Sequence, residues 1–265
     1  EMNKEKIAIS LDKPLLDMID AMIDGTNLRS RSQAIEKLLK LGIEQEYAKS
    51  AVILIRDKDQ HLLLKEINGK PLIMHHLELL YKAGIKKPYL ITKQTELIDQ
   101  IMNVTKDAKL KLEWIDEKDT QGNAQALLKA KPLLKTHFVV MLGDTYNHFD
   151  LKKMIIFHLQ KDKLATVGLI THPKPNLYSS VELEGDRIVA FRNKKDSKSY
   201  IIDAGIYIFK PLIFKYFDFT TRSFERDVLP QLCEKEEIDG YFTFGEYTHM
   251  GEQQEGSRSI ALNSE

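Results

Sequence analysis

The chain has 265 residues, which suits two domains, and 43% of them are hydrophobic, enough for a sizeable core. Charged residues make up 29% and cancel to a net charge of zero, so bulk electrostatics gives no sign of a nucleic-acid partner. No apolar run is long enough to span a bilayer, and the first apolar residues alternate as in a strand, so neither a membrane span nor a signal peptide is expected. The lone Cys233 has no second cysteine to pair with and fits a reducing cytoplasm.

In residues 6–11 every second side chain is apolar (Ile7, Ile9, Leu11), which predicts a strand with one buried face and Lys6, Ala8 and Ser10 on the other. Asp12 is placed to cap a helix with Pro14 in its first turn, carrying Leu15, Leu16, Met18, Ile19, Met22 and Ile23 up to Gly25. Ser30-Arg31-Ser32-Gln33 has the spacing of a capping box and opens a second helix with Ala34, Ile35, Leu38, Leu39, Leu41 and Ile43. One strand and two short helices with apolar residues on several sides cannot bury themselves alone, and a single strand leaves both edges unpaired.

This order of elements resembles the ribbon-helix-helix family of DNA-binding proteins, over nearly all of residues 4–46. The resemblance implies an intertwined homodimer, or a higher homo-oligomer, built on a two-stranded ribbon, with double-stranded DNA as partner. Lys6, Ala8 and Ser10 would then face base edges in the major groove, with Lys4 and Arg29 nearby, while the amides of Ser30, Arg31 and Ser32 hold a phosphate at the helix start. Composition opposes this: residues 1–46 carry seven Lys/Arg against nine Asp/Glu, a net of −2. Placement favours it, because Asp17, Asp20 and Asp24 are assigned to the first helix, away from the basic strand and second-helix start.

From residue 51 the signals change. AVILI (51–55) reads as a buried strand, and a helix follows over 71–83, stopped by Gly84. Strands are predicted at 88–92, 110–115, 137–142 and 164–170, with helices between them at 94–103, 121–134 and 149–160. Alternation of this kind indicates an α/β fold, a mostly parallel sheet with helices on both faces. Successive strands follow at 178–184, 187–192 and 200–209, with Gly185-Asp186 as a hairpin turn. The domains are read as 1–48 and 49–265.

Six segments in order resemble the sugar-phosphate nucleotidyltransferases. AVIL opens the domain, and Asn68-Gly69-Lys70-Pro71-Leu72-Ile73 leads into the first long helix. Gln121-Gly122-Asn123-Ala124-Gln125-Ala126-Leu127 is similar to the family's base-contacting stretch, and Leu142-Gly143-Asp144 to its strand-end Gly-Asp. Ala204-Gly205-Ile206-Tyr207-Ile208-Phe209 and Phe224-Glu225-Arg226-Asp227-Val228-Leu229-Pro230 match two further segments. The resemblance implies a Rossmann-like, GT-A-like mixed sheet whose cleft holds a nucleotide or nucleotide-sugar. Gly122, Asn123, Ala124, Asp144, Lys194 and Asp203 would be its ligand-binding residues.

The chemistry departs from the family pattern. Joining two anionic phosphates needs donors, and a divalent metal on their oxygens. The family supplies a glycine-rich loop after the first strand, but here AVILI runs into Arg56-Asp57-Lys58-Asp59-Gln60-His61, with no glycine and two carboxylates. The second metal carboxylate of the family falls on His249. Asp144 is either one remaining metal ligand, for Mg²⁺ bound with a nucleotide, or a turn residue after a strand. His75-His76 is expected to pack rather than bind metal, and Trp114, Tyr207 and Phe209 are assigned to the core.

Three readings follow. The first is a cytoplasmic transcription regulator whose enzyme-like domain has lost catalysis and any cofactor, and senses a nucleotide or nucleotide-sugar or mediates oligomerisation. The second is an active sugar-phosphate nucleotidyltransferase dimerised by its N-terminal element. The third is an assembly protein. The loop 56–66 favours the first, and collapse of that loop into the cleft would leave a scaffold.

Overall fold

The structure is a computed structural model that describes residues 5–148, 150–175, 178–192, 199–243 and 246–251. The chain divides into two compact units, Glu1–Glu46 and Tyr47–Glu265.

In the first unit, α1 (Lys13–Ala21) starts at Asp12, whose carboxylate accepts the Leu15 amide at 2.9 Å. The helix is shorter than its apolar pattern. Asp24 lies beyond it, not within it, because its carboxylate accepts the amides of Thr26, Asn27 and Leu28 and folds the chain into a turn. α2 (Arg31–Glu46) opens with Ser30 Oγ accepting the Gln33 amide at 3.3 Å, while Gln33 reaches back to the Arg29 amide at 2.7 Å, one residue earlier than a capping box requires. The expected strand over 6–11 is not formed within the chain. Its backbone donors and acceptors need a neighbouring strand, and this unit supplies none.

The second unit is built on a nine-stranded mixed sheet. Its parallel half consists of β1 (Ser50–Leu54), β4 (Lys87–Thr92), β5 (Glu113–Asp116) and β6 (Phe138–Leu142), in spatial order β5-β4-β1-β6. β11 (Ile201–Phe209) runs antiparallel to β6 and joins this half to β8 (Ala165–Thr171), β12 (Ile238–Phe242), β10 (Arg187–Arg192) and β9 (Ser180–Glu184). The sheet is therefore less parallel than the strand–helix alternation suggests, since β9, β10 and β11 enter the same sheet as antiparallel neighbours, while β12 runs parallel to β8.

β1 shows why both faces are covered. Val52 and Leu54 enter one core cluster with α5 (Asn123–Ala130) and α7 (Leu229–Glu234), and Ala51 and Ile53 enter the other with α3 (Leu72–Lys82), α4 (Leu97–Thr105) and α6 (Leu151–Lys161). Two small ribbons lie outside the main sheet: β2 (Glu66–Ile67) with β3 (Lys70–Pro71), and β7 (Thr145–His148) with β13 (Glu246–His249). Among the described residues, no helix is long and apolar enough to cross a membrane.

Candidate active site

The parallel strands end side by side, and their carboxyl ends carry the polar groups of the site, as open α/β sheets arrange. In place of a glycine-rich loop, β1 runs into a 3₁₀ helix, Asp57–Leu64. Buried Gln60 anchors it, donating to Thr92 Oγ1 at 2.8 Å and to the Lys93 carbonyl at 2.7 Å at the end of β4, while Thr95 Oγ1 donates to its carbonyl oxygen. The turn is thus held by side-chain bonds rather than draped on a phosphate. Arg56 pairs with Asp59 at 2.6 Å and Lys118 with Asp116 at 3.6 Å, so part of the positive charge at this edge is matched internally.

The Gly122 stretch is held from outside its own helix. Gly122 has φ +105°, and a Cβ there would lie 2.2 Å from the Arg222 carbonyl oxygen, so only glycine permits the approach. The Ala124 amide donates to that carbonyl at 3.1 Å, and Asn123 Oδ1 accepts the Phe224 amide. The start of α5 and the segment 222–224 are therefore tied together.

Asp203 lies on β11 beside a bulge that ends at Tyr207. Gly205 takes φ +69° inside the strand and turns Asp203 back on itself, with Oδ1 accepting the Gly205 amide at 2.8 Å and Oδ2 accepting the Tyr207 hydroxyl at 2.7 Å. Glu225 comes within 3.4 Å of the same hydroxyl oxygen. Burial and the Glu225 charge raise the Asp203 carboxyl well above its ordinary range, and burial with both carboxylates raises the Tyr207 phenol. A phenol has one hydrogen, so Tyr207 serves both carboxyls as a donor only if it alternates between them.

Asp144 follows β6, and the β7–β13 ribbon pairs Thr145 with His249, which brings His249 Nε2 to 3.6 Å from Asp144 Oδ2. The Met250 amide donates to the Asp144 carbonyl at 2.8 Å and pins the two together. His76 is buried, bonded to the Thr145 carbonyl at 2.8 Å, and burial holds it down to about 4. His75 bonds the Ile67 carbonyl, so both of these histidines are structural. Among the described residues no group of three or more His, Cys, Asp or Glu is placed to hold a metal alone. A divalent cation at Asp144 would draw most of its other ligands from phosphate and water, a donor set that suits a metal bound together with a nucleotide.

Lys194 lies outside the described residues, as does Lys4. Lys6, Ala8 and Ser10 are exposed, and so are Arg29, Ser30, Arg31 and Ser32 at the start of α2. Arg31 is engaged within its own unit, holding Asp20 through two bonds of 2.6 Å. Tyr207, Glu225 and the Arg222 carbonyl were not among the expected site residues. The signal available for Tyr207 is that a buried phenol needs a partner. A separate hollow of about 400 Å³ between α3 and α6 is rimmed by Lys70, Glu78, Lys82 and Lys152, and Glu78 already pairs with Lys70 at 2.5 Å and Lys82 at 3.0 Å.

Comparison with known proteins gives both units a family. The profile described as "Nucleotidyl transferase" matches residues 54–250, and that described as "Ribbon-helix-helix protein, copG family" matches residues 5–46. A relative from Danio rerio named mannose-1-phosphate guanylyltransferase catalytic subunit beta is 30% identical over 66% of this chain and 51% of its own length. A relative of the same name from Drosophila pseudoobscura pseudoobscura is 28% identical over 75% of this chain and 56% of its own length. The chain thus spans about half the length of the curated relatives it matches. Among solved structures, HddC from Yersinia pseudotuberculosis superposes with a TM-score of 0.66 at 23% identity, covering 77% of this chain and 94% of that one. UDP-glucose pyrophosphorylase from Acinetobacter baumannii gives 0.64 at 16%, covering 77% and 89%. These likenesses show the mixed α/β transferase fold.

The expectation of a catalytically lost domain in a transcription regulator rested on the missing glycines and on His249. The relatives' names overturn it, because a set of guanylyltransferases points to an enzyme. With the profile covering well over half of its length, the chain belongs to the nucleotidyl transferase family.

Proposed function

We propose that the second unit transfers a nucleotidyl group from a nucleoside triphosphate to a sugar 1-phosphate. The observation that carries the reading is Asp144 at the end of β6, held beside His249 where the parallel strands end. In the reaction an oxygen of the sugar phosphate attacks the α-phosphorus, the bond from that phosphorus to the β-phosphate oxygen breaks, and pyrophosphate leaves. The attacking oxygen is already anionic, so no general base is required. The protein's task is to align two anions and offset their charge.

The cations at the strand ends, Arg56, Lys58 and Lys93, lie where they would offset the triphosphate in the absence of glycine-loop amides. The start of α5 and Asn123 would meet the base, and Asp203 and Glu225, with the enclosed Tyr207 hydroxyl behind them, would meet sugar hydroxyls. A divalent cation held by Asp144 and the phosphates would supply Lewis-acid stabilisation of the phosphate oxygens. The relatives' names make GTP with mannose 1-phosphate the first substrate pair to test.

The first unit, in this reading, dimerises the enzyme. Ile7 and Ile9 are 75% and 52% exposed, and pairing 6–11 with the same segment of a second copy would bury them and satisfy the strand edges. Any contact with DNA would fall to Lys6, Ala8, Ser10 and Arg29, since Arg31 is held by Asp20.

The test is pyrophosphate release with GTP or other triphosphates, mannose 1-phosphate or other sugar 1-phosphates, and Mg²⁺ or Mn²⁺. Turnover is expected with at least one pair, and Asp144→Asn should lower kcat by about 10²–10³, the scale of losing one electrostatic stabiliser. Absence of release with every pair and both metals refutes the reading.

A further inference from the structure

We propose that Asp144 and His249 form a mixed oxygen–nitrogen cation site, one that prefers a first-row transition-metal ion such as Mn²⁺ or Co²⁺ over Mg²⁺. Three observations meet here. His249 Nε2 and Asp144 Oδ2 are 3.6 Å apart, too far for a hydrogen bond. Two donors bound to one ion at about 2.1 Å lie about 3.0 Å apart in octahedral geometry and about 3.4 Å in tetrahedral geometry, so a small closing movement brings both onto one ion.

The separation is also fixed by the backbone. The Thr145–His249 register of the β7–β13 ribbon and the Met250 amide on the Asp144 carbonyl set it. Lastly, the imidazole is unspent. Nδ1 has no hydrogen-bond partner among the described residues, and Nε2, on the other edge of the ring, faces Asp144 at ion-pair distance without a hydrogen bond to it.

Donor chemistry then selects the ion. Mg²⁺ takes oxygen ligands in near-ideal octahedral geometry and binds through carboxylates, waters and phosphates, so an imidazole contributes little to holding it. First-row transition-metal ions gain affinity from a nitrogen ligand in the order Mn²⁺ < Fe²⁺ < Co²⁺, so the gain is smallest for Mn²⁺ and larger for Co²⁺, and for them His249 is a second protein ligand where Mg²⁺ finds one. The inference rests on the transferase reading only for the phosphate that completes the ligand set.

Pulsed EPR on the full chain with Mn²⁺ and inorganic pyrophosphate, a phosphate source without nitrogen, tests it directly. Bound Mn²⁺ should show ¹⁴N modulation from an imidazole. In His249→Asp the modulation should vanish while Mn²⁺ still binds, and Mg²⁺ should displace Mn²⁺ at least tenfold more effectively than from wild type. Asp144→Asn should weaken Mn²⁺ binding at least tenfold. Bound Mn²⁺ without ¹⁴N modulation, equal displacement by Mg²⁺ in both proteins, or no Mn²⁺ binding at all would overturn the proposal and leave His249 as an ion-pair partner only. The wild-type spectrum decides the question even if a variant fails to fold. Modulation without turnover on any substrate would remove the transferase reading and keep the site. Pyrophosphate release by wild type with Mn²⁺, under conditions where the bound Mn²⁺ shows no ¹⁴N modulation, would do the reverse.

Discussion

The two units solve the problem of burial in opposite ways. The second closes its core within one chain: each face of its sheet holds a continuous apolar cluster, and Phe138, Tyr207, Phe209 and Phe224 are fully enclosed. The first encloses little more than Ile19, Leu28 and Ala34, and leaves Met18 68% exposed beside the open Ile7 and Ile9. Pattern alone does not distinguish them, since both have regular apolar spacing. What differs is size, because a unit of under fifty residues has too little interior to cover its own apolar surface.

The contrast is broken hardest in the larger unit. Phe209 packs edge-on to Phe138 at 5.9 Å and stacks on Tyr207 at 5.8 Å. Phe209→Ala should cost about 3–5 kcal/mol in chemical denaturation. A loss below about 1 kcal/mol would mean that the aromatic cluster is not where this unit is held together.

Acid is the next lever, and it acts through the same interior. His158 is buried, bonded to Thr166 Oγ1 at 2.8 Å and edge-on to His137, and burial holds it down to about 3 from an ordinary 6.5. Below 6.5 the unfolded chain takes up a proton that the folded chain refuses. Stability from this group is therefore complete above 6.5 and declines by about 1.4 kcal/mol per pH unit towards 3. Asp203 contributes with the opposite sign, because its raised carboxyl keeps a proton that the unfolded chain has released, so its share is lost as pH rises. Thermal unfolding of wild type against His158→Gln from pH 7.5 to 5 isolates the histidine. The gap between them should shrink or reverse on acidification, and a gap independent of pH would contradict the assignment.

The smallest effect is expected in the first unit. Ile9→Asp should raise the dimer dissociation constant at least tenfold, about 1.4 kcal/mol, in sedimentation equilibrium, while the unfolding of the second unit moves by less than about 0.5 kcal/mol. An unchanged dissociation constant would place the dimer contact elsewhere than the ribbon.

Much of the second unit was legible because its strands are apolar runs separated by helices. The strand read at 51–55 is β1, Ser50–Leu54, and that at 137–142 is β6, Phe138–Leu142. The helix read over 121–134 stops at Ala130 and continues as a 3₁₀ turn around Pro132, whose missing amide ends the regular bonding. β7, β12 and β13 escaped, the first and last for being four residues long and rich in polar side chains, β12 for carrying Asp239 and Gly240. Asp144 and His249 were legible from segment order. The Asp203–Tyr207–Glu225 cluster was not, because Tyr207 has the spacing of a core residue and its hydroxyl partners come from sites that only folding brings together. The missing glycines favoured a reading of lost function that the relatives' names contradict, and sequence alone could not reveal the turn anchored by Gln60 that follows β1.

The small β7–β13 ribbon also sets an order of events as the chain is made. Residues 50–142 contain the whole parallel half of the sheet, and those strands can pair as soon as they leave the ribosome. Asp144 emerges with them, but the strand that brings His249 to its side is 105 positions later, from 249 less 144. A nascent chain therefore carries half of the sheet with Asp144 alone, and Asp144 and His249 meet only after most of the protein has been translated.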